Sequence, residues 1–261
     1  MRRWGCLLLI LLPLLLFVSA QPRAELKFAT QEFAPFSYME RGKVSGPVAD
    51  LIRAICEEMK LSCSFQLSNW LRAQWFVKQG DMNGLFVIGW NEERAKTLYF
   101  SPPIIDTEYG FFVRKDNSLD YRDEADVLHY RVGVYGPSNT EKSLLKIKKN
   151  IKKMTVNVNN DDARQFKKLS AGEFDAIYSN MNVGFFLIDK LELENIRYAG
   201  THKKLKYYIG FSKKHTRAAE VNLFNRTLFR LYLRGDVKKI FNKYHMTPSK
   251  IDPDKVQIYS P

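Results

Sequence analysis

In the first part of the mature chain, apolar and polar positions follow the period of a strand in some stretches and the period of a helix in others. The sequence predicts strands over residues 25–30, 62–67 and 84–89, where apolar side chains alternate with polar ones or run together. Helices are predicted between them, over residues 50–60, where the apolar side chains share one stripe, and over residues 71–79. This strand–helix–strand–helix–strand order is typical of βαβ units around a parallel sheet.

A second series of the same kind follows. Further strands are predicted at residues 110–115, 130–135, 154–158, 174–179 and 207–213. Further helices are predicted after residues 136–140 and over residues 161–171, 218–234 and 237–244. We therefore expect two α/β lobes, the second inserted into the first, with a ligand cleft at the carboxyl ends of the strands.

The two series of strands and helices indicate the boundaries between the lobes. We expect lobe 1 to comprise residues 21–105 and 209–246, and lobe 2 to comprise residues 106–208. The last fifteen residues, 247–261, include three prolines and are predicted to form a loose C-terminal tail.

The N-terminus has the pattern of a secretory signal. Arg2 and Arg3 precede an apolar core over residues 6–18, so residues 1–20 are predicted to be a signal peptide. Val18-Ser19-Ala20 offers small residues for cleavage, and Pro22-Arg23-Ala24 is a second possible cleavage site. Its core is too short for a transmembrane helix. No later stretch approaches about 18 uninterrupted apolar residues. We expect the mature protein to be exported to the periplasm.

The composition is strongly basic, with a net charge of +13 that falls to +11 once Arg2 and Arg3 are removed. The densest basic run, KIKKNIKK at residues 146–153, could indicate nucleic-acid binding, but it also fits a solvated helix face. An exported protein rarely meets nucleic acid, so we expect no nucleic-acid partner. A basic surface favours anionic ligands or an anionic envelope surface.

Two cysteines, Cys56 and Cys63, remain after the signal peptide is removed. In an exported protein such a pair predicts a disulfide, which for so short a loop contributes about 2.5 kcal/mol in the entropic model. A metal site is the alternative, but no histidine lies nearby. The four histidines of the chain are dispersed without metal-ligand spacing, so we expect no metal or cofactor.

The stretch VIGWNEERAK, residues 87–96, contains a cation in an unfavourable place. Asn91 fits a helix N-cap, and Glu92 and Glu93 suit the positive end of a helix. Arg94 opposes the helix dipole in the first turn, by a few tenths to about 1 kcal/mol. An anion that Arg94 meets would explain its presence.

Five segments, taken in order and spacing, resemble the family-3 extracellular solute-binding proteins, the amino-acid-binding components of bacterial ABC importers. The segments are FATQEFAPFSYMERGKVSGPVADLIRAICEEM, the Cys56/Cys63 pair, GDMNGLFVIGWNEERAKTLYFSPPI, YRVGVYGPSNTEKSL and LSAGEFDAIYSNMNVGFFL. The cysteine spacing is similar to that of the lysine/arginine/ornithine-binding branch. The resemblance covers about residues 25–246 and implies a two-lobed periplasmic binding protein of type II, each lobe a mainly parallel sheet with flanking helices.

The resemblance also implies a set of ligand-binding residues. Phe33 and Trp70 would stack on either side of the ligand, and Arg94 would hold its carboxylate in a bidentate pair. Further contacts are expected from lobe 2, at a helix N-terminus and after a strand. These are Ser138, Asn139, Thr140 and Asn180.

The sequence departs from the family pattern at several of these positions. Residues 87–90, Val-Ile-Gly-Trp, stand where a Ser/Thr-rich segment is usual, and Trp90 is expected to add an aromatic wall to the pocket. Asn180 replaces the acid that usually holds the α-ammonium, and Thr30 replaces the acid that serves basic side chains. Glu32 is the nearby acid that could substitute. These changes leave the ligand class open, because a buried ammonium without a carboxylate is costly.

The resemblance predicts a protein that captures a small polar, carboxylate-bearing solute by lobe closure and does no chemistry on it. We expect a monomer whose closed form is read by a membrane permease. Two alternatives remain: a ligand sensor that reports to a membrane receptor, and an enzyme similar to cyclohexadienyl dehydratase. The enzyme would need a general acid in the cleft, for which Glu32 is the candidate.

Overall fold

The computed structural model describes residues 25–260, so the predicted signal peptide lies outside the described residues. The strands are β1 (Glu25–Thr30), β2 (Tyr38–Glu40), β3 (Lys43–Ser45), β4 (Ser62–Leu67), β5 (Gly84–Gly89), β6 (Leu98–Phe100), β7 (Ile105–Arg114), β8 (Arg131–Tyr135), β9 (Thr155–Asn159), β10 (Ala176–Asn180) and β11 (Ile196–Ser212). The helices are α1 (Pro47–Glu58), α2 (Trp70–Gln79), α3 (Glu92–Thr97), α4 (Asn139–Asn150), α5 (Asp162–Ser170), α6 (Met181–Lys190), α7 (Ala218–Leu233) and α8 (Asp236–Asn242).

The strands form two parallel groups joined by one antiparallel pair. β4, β1 and β5 are parallel neighbours, and so are β10, β8 and β9. The long strands β7 and β11 pair antiparallel along residues 105–114 and connect the two groups, β11 pairing with β5 and β7 with β10. This arrangement confirms the predicted two-lobed α/β fold. The lobe boundaries at residues 105/106 and 208/209 stay a prediction.

Five helices begin immediately after the carboxyl end of a parallel strand, and each begins in the same way. Asn69, Asn91, Ser138, Asp161 and Asn180 each accept a hydrogen bond from the backbone N–H three residues further on. This side-chain capping satisfies one of the N–H groups that a helix leaves free. The two parallel groups run in opposite directions, and their carboxyl ends meet beside the middle of the β7–β11 pair. The N-termini of α2 to α6 therefore converge on the cleft between the two groups, where anionic groups are favoured.

Aromatic side chains fill the core on both sides of the connecting strands. Phe28 of β1 packs against Phe211 of β11 and Phe224 of α7, with ring centroids 5.7 and 6.1 Å apart. In the other group, Phe111 of β7 packs against Tyr178 of β10 at 5.0 Å. Each parallel group therefore has its own buried aromatic contacts with the strands that connect the two.

A disulfide joins Cys56 in α1 to Cys63 in β4, with the Cα atoms 6.2 Å apart. The predicted disulfide is therefore confirmed. It ties the first helix to the edge strand that follows it, next to the buried face of α1.

The C-terminal segment is not the loose tail that its prolines suggested. Ser249 and Ile251 are buried, and the N–H and Oγ of Ser249 donate to the carbonyl oxygen of Ile104 and to Asp106 Oδ1, at 3.0 and 2.7 Å. The hydroxyl of Tyr259 bonds both backbone groups of the last residue of β6, at 2.7 and 2.8 Å. The segment packs because Ile251, together with the partly buried Val256 and Tyr259, contacts the main hydrophobic core.

Several elements were not predicted from the pattern, among them the short strands β2, β3 and β6, the helix α6 and the first part of β11. α6 contains a glycine and is apolar around much of its surface, so it lacks a clear helical stripe. Residues 196–206 of β11 are mostly part-exposed and include three lysines near the middle of the strand, so they do not show the alternation of a half-buried strand. No helix among residues 25–260 is long and apolar enough to cross a membrane.

Candidate functional site

A cavity lies at the carboxyl ends of the strands, between the N-termini of the capped helices. It brings together seven residues that the resemblance implied: Phe33, Trp70, Arg94, Ser138, Asn139, Thr140 and Asn180. It also contains polar and aromatic residues that the sequence did not point to, and these include Gln31, Tyr109, Tyr135, Asp162, Ser179 and Tyr207.

Arg94 is fixed in the cavity by uncharged partners. Its Nη1 donates to the carbonyl oxygen of Gly89 at 2.8 Å, and its guanidinium carbon lies 5.2 Å from the ring centroid of Trp70. Burial lowers the pKa of Arg94, although an arginine remains charged at any physiological pH. Within the part of the chain that the structure describes, Arg94 forms no ion pair with a carboxylate. The guanidinium is therefore held in position without a paired carboxylate among the described residues, although the nearby charge of Glu93 raises its pKa by less than burial lowers it.

Aromatic rings form the wall beside Arg94. Trp70, the first residue of α2, is only 8% exposed. Phe33 lies in a tight turn in which its N–H donates to the carbonyl oxygen of Ser37 at 2.7 Å. Its ring packs edge-on against that of Tyr207, with the centroids 5.7 Å apart. The two predicted stacking residues thus both face the cavity, and Tyr207 supports one of them from β11.

The start of α4 presents amide groups to the cavity. Ser138 caps the helix with its Oγ, which also donates to the carbonyl oxygen of Tyr135 at 2.7 Å. The backbone N–H groups of Asn139 and Thr140, in the first turn, have no acceptor within the helix. The side chain of Ser138 is therefore committed to capping, whereas the following amides point towards the region where an anion is favoured.

Asn180 lies in the cavity wall but is bound within the protein. Its Nδ2 donates to Thr107 Oγ1 at 2.8 Å and to the hydroxyl of Tyr207 at 3.1 Å, and its Oδ1 caps α6. Burial raises the pKa of the Tyr207 phenol well above its ordinary value, and burial also raises the pKa of Tyr109. The groups around Asn180 are therefore neutral and already joined in a network.

Asp162 is the acidic residue that the sequence did not point to. It is the first residue of α5, and Asp161 before it already serves as the N-cap. Its Oδ1 is buried and accepts no hydrogen bond from the residues that the structure describes. Burial, with a smaller effect of the Asp161 charge, raises the pKa of Asp162 to about 7. The sequence did contain one signal for this residue: two consecutive acidic residues stand where a single N-cap would suffice.

Two predicted residues are not brought to this cavity. Trp90 is 54% exposed and lines a larger neighbouring groove, so it does not form the aromatic wall expected of it. Glu32 is exposed, and its Oε2 accepts from the backbone N–H of Met39 at 3.1 Å. Their neighbours in sequence, Phe33 and Gly89, line the cavity instead. The enzyme alternative therefore loses the general acid proposed for it.

Val87 has an unusual backbone in the strand that precedes Arg94. Its φ of 58° is in the left-handed region, where a β-branched side chain is an outlier. β11 pairs Tyr208 with Ile88 and Ile209 with Phe86, so Val87 is the extra residue of a bulge. Such a conformation costs about 1–3 kcal/mol and is retained where the surroundings determine it. The bulge lies in the cavity wall, where the sequence departs from the family pattern.

Hydrogen bonds cross the cleft between the two groups of strands. Asn91 Nδ2, at the start of α3, donates to Asn139 Oδ1 on α4 at 3.1 Å. The hydroxyl of Tyr135 in β8 donates to Gln31 Oε1, just after β1, at 3.4 Å. The cavity is therefore bounded on both sides by polar contacts that join one group to the other.

The fold and the cavity define a class: a two-lobed α/β binding protein with a charged site between helix N-termini. Residues 26–247 match the bacterial extracellular solute-binding proteins, family 3, and the chain belongs to this family, as the sequence predicted.

Individual relatives agree with this assignment. The chain is 25% identical over 224 residues to the arginine-binding periplasmic protein of Mannheimia haemolytica, covering 81% of this chain and 87% of the relative. It is 23% identical over 220 residues to the probable amino-acid-binding protein YxeM of Bacillus subtilis (strain 168), covering 83% and 81%. A histidine kinase sensor domain with similarity to periplasmic binding proteins has the same fold, with a TM-score of 0.77 and 22% identity over 85% of this chain and 96% of that one.

Proposed function

We propose that this solute-binding protein captures a small amino-acid-type solute by binding its carboxylate to Arg94. The observation that carries the proposal is the position of Arg94: it lies in the cavity, it is oriented by Gly89 and Trp70, and it is not paired with an anion of the described residues. The names of the two relatives, an arginine-binding periplasmic protein and a probable amino-acid-binding protein, support the amino-acid class.

A carboxylate suits this position better than a neutral group. A guanidinium presents parallel N–H donors that match the two oxygens of a carboxylate, and charge-assisted bonds of this kind are about twice as strong as neutral ones. The first-turn amides of α4 add backbone donors and a favourable dipole. Phe33 and Trp70 supply apolar area for the rest of the ligand.

The protein then acts by changing shape rather than by chemistry. Ligand binding between the lobes shifts an open–closed equilibrium, and bonds such as Asn91–Asn139 stabilise the closed form. β7 and β11 act as the hinge, with lobes of residues 21–105 and 209–246 and of residues 106–208. A membrane permease of an ABC importer reads the closed form at the outer face of the membrane, and the exported protein works as a monomer.

The test is a binding measurement on the mature protein, unfolded and refolded to remove any co-purified solute. Thermal shift over amino acids and organic acids identifies a ligand, and calorimetry gives its Kd. We expect Arg94→Ala to weaken binding by about 100-fold or more, because one partner of a buried charge pair is removed. Arg94→Lys should restore only part of the loss, since lysine keeps the charge without the planar fork.

Arg72→Ala is the matched control. Its guanidinium carbon lies 5.3 Å from the ring centroid of Phe76, much as Arg94 lies over Trp70, but Arg72 is exposed and outside the cavity. Wild-type affinity in Arg72→Ala is expected. Wild-type affinity in Arg94→Ala would refute the proposal.

A sensor is the second candidate, because a histidine kinase sensor domain has the same fold. The two functions differ in what the closed form contacts. Deleting the gene should abolish high-affinity uptake of the radiolabelled ligand if the protein serves an importer. Normal uptake together with a lost transcriptional response to the ligand would favour the sensor.

A further inference from the structure

We infer that strand β9 is a docking edge for a second copy of this chain, which pairs with it antiparallel through Val156 and Val158. β9 lies at one end of the described sheet and has β8 as its neighbour on one side. The inference goes beyond the proposed function, because no residue of β9 lines the solute cavity.

Half of the backbone groups of β9 face away from the sheet. The N–H of Thr155 and the carbonyl oxygen of Asn159 bond to the residues just before and just after β8, each at 2.9 Å. Alternate residues of a strand bond to the same neighbour, so the odd-numbered residues of β9 face β8. The N–H and C=O groups of Val156 and Val158 therefore point to the open edge, with which no other strand among residues 25–260 pairs.

This edge lacks the features that usually keep sheet edges apart. β9 reads Thr-Val-Asn-Val-Asn, without a charged residue or a proline, and it pairs with β8 without a bulge. Natural edge strands are commonly blocked by lysine, proline, a bulge or a covering segment. The strand at the other end of the sheet, β4, has the β2–β3 hairpin packed against it. Val158 is 43% exposed, so the edge of β9 is open to another strand.

The sequence of β9 fits an identical strand that runs in the opposite direction. With Asn157 on a two-fold axis, Val156 of each copy lies opposite Val158 of the other, and Thr155 lies opposite Asn159. The valine pairs are then hydrogen-bonded pairs, which exchange both N–H···O=C bonds, and the Asn157 pair between them is a non-hydrogen-bonded pair. All the outward groups of the valines are satisfied in this register.

The charges at the two ends of β9 favour the same arrangement. Lys152 and Lys153 precede the strand and Asp161 follows it, and all three side chains are exposed. None of them forms an ion pair among residues 25–260. Antiparallel pairing brings the basic end of one copy to the acidic end of the other, which favours this orientation without burying a charge. A second copy therefore matches the edge in both hydrogen bonding and charge.

One pair of short strands makes a weak dimer. An interface of two five-residue strands is far smaller than a standard protein interface, and the net positive charge of each copy opposes their approach. We expect a Kd on the order of 100 µM at physiological ionic strength, where this repulsion is screened. The dilute protein remains the monomer of the proposed function, and each copy keeps its own solute cavity.

Sedimentation velocity on the mature protein, from about 10 µM to about 1 mM, measures the association. Val158→Pro removes the outward N–H while leaving the β8 side of the strand paired, and Val158→Lys places a charge at the edge. Each should weaken association at least about 10-fold. Ser62→Lys is the matched control, because it adds the same charge at the exposed start of β4, and it should associate like the wild type. Circular dichroism checks the fold of every variant.

Cysteine variants report the register of the pairing. Asn157→Cys places two thiols opposite each other in a non-hydrogen-bonded pair, where Cβ atoms are about 4.5–5.5 Å apart. Oxidation with diamide should then give a disulfide-linked dimer. Thr155→Cys is the matched control, because both positions are exposed and lie on the same face of β9. Its two thiols would be about 13 Å apart in the dimer, so this variant should stay unlinked.

Three results would overturn the inference. They are a wild type that stays monomeric at about 1 mM, Val158 variants that associate like the wild type, and equal linking of Asn157→Cys and Thr155→Cys. The lysine and cysteine variants decide the question even where proline disturbs the fold. Solute affinity plays no part in these measurements, so their failure and the failure of the proposed function are distinguishable.

Discussion

Replacing Asp162 with asparagine should make the ligand-free protein more stable at mildly alkaline pH. Asparagine keeps the shape of the side chain and removes a charge whose Oδ1 is buried without a hydrogen-bond partner in the described residues. A binding site that holds an uncompensated charge lowers the stability of the free protein, as strained or polar functional sites commonly do.

The magnitude follows from the pKa of Asp162, which rises from 3.8 to about 7 in the folded protein. At about 1.36 kcal/mol per pKa unit, this difference corresponds to roughly 4 kcal/mol of destabilisation by the charged form. The residue as a whole is only partly buried, so solvent screens some of this energy. We expect Asp162→Asn to raise the free energy of unfolding by about 2 kcal/mol at pH 8.

The pH dependence has a definite sign. Between pH 3.8 and about 7 the folded protein binds more protons at Asp162 than the unfolded chain does, so the wild type loses stability as the pH rises through this window. The phenol of Tyr135, which faces Asp162, does not titrate there, because burial and the Asp162 charge raise its pKa further above an already alkaline value. The advantage of Asp162→Asn should therefore vanish near pH 4.

Urea unfolding of wild type and Asp162→Asn at pH 4.5, 6 and 8 measures the effect. Asp161→Asn is the control for the neighbouring acid, because asparagine caps a helix as well as aspartate and the change leaves Asp162 in place. Its stability should follow the wild type more closely at every pH. An Asp162→Asn protein that is no more stable than wild type at pH 8 would refute the reasoning, since the carboxylate would then already have a partner.

Two further predictions concern the backbone and the disulfide. Val87→Gly should be less destabilising than the control Val113→Gly by about 1–2 kcal/mol, because glycine relieves the left-handed conformation of Val87 whereas Val113 sits in an ordinary strand. Urea unfolding measures both, and equal losses would show that the bulge stores no strain. Cys63→Ser should lower the Tm by about 5–10 °C and make it insensitive to reductant, as expected for about 2.5 kcal/mol from the bond to Cys56. A wild-type Tm that reductant leaves unchanged would contradict this.

The periodic parts of the chain could be predicted because the spacing of apolar residues over a short stretch determines whether it forms a strand or a helix. The strands at residues 25–30, 62–67 and 84–89 lie where predicted, and α2 and α7 begin within a residue of their predicted starts. In these elements the pattern follows from burial, of one face in the helices and of every residue in the strand at residues 84–89. α6 and the first half of β11 could not be predicted, because their environment is set by residues that are distant in sequence.

The site was predictable where it follows strand ends and unpredictable where it depends on side-chain direction. Asn180 ends a strand and Arg94 follows one, and the family resemblance predicted that both would line the cavity. Trp90 and Arg94 are close in sequence, yet Trp90 is directed into the neighbouring groove. The sequence analysis did not single out Asp162, and only the folded chain shows that its Oδ1 is buried beside the cavity. The direction in which a side chain points, and whether it is removed from water, depend on the folded structure and cannot be read from one sequence.

The packed C-terminal segment has a practical consequence for engineering. The family match ends at residue 247, but Ser249 bonds to Ile104 and Asp106, and Asp106 also pairs with Lys206 on β11. Asp106 lies on β7 and Lys206 on β11, the two strands that connect the lobes, and Ile104 immediately precedes β7. A fluorescent reporter fused after Tyr259 would thus be coupled mechanically to the connecting strands, whereas a chain trimmed at the family boundary would lose that attachment.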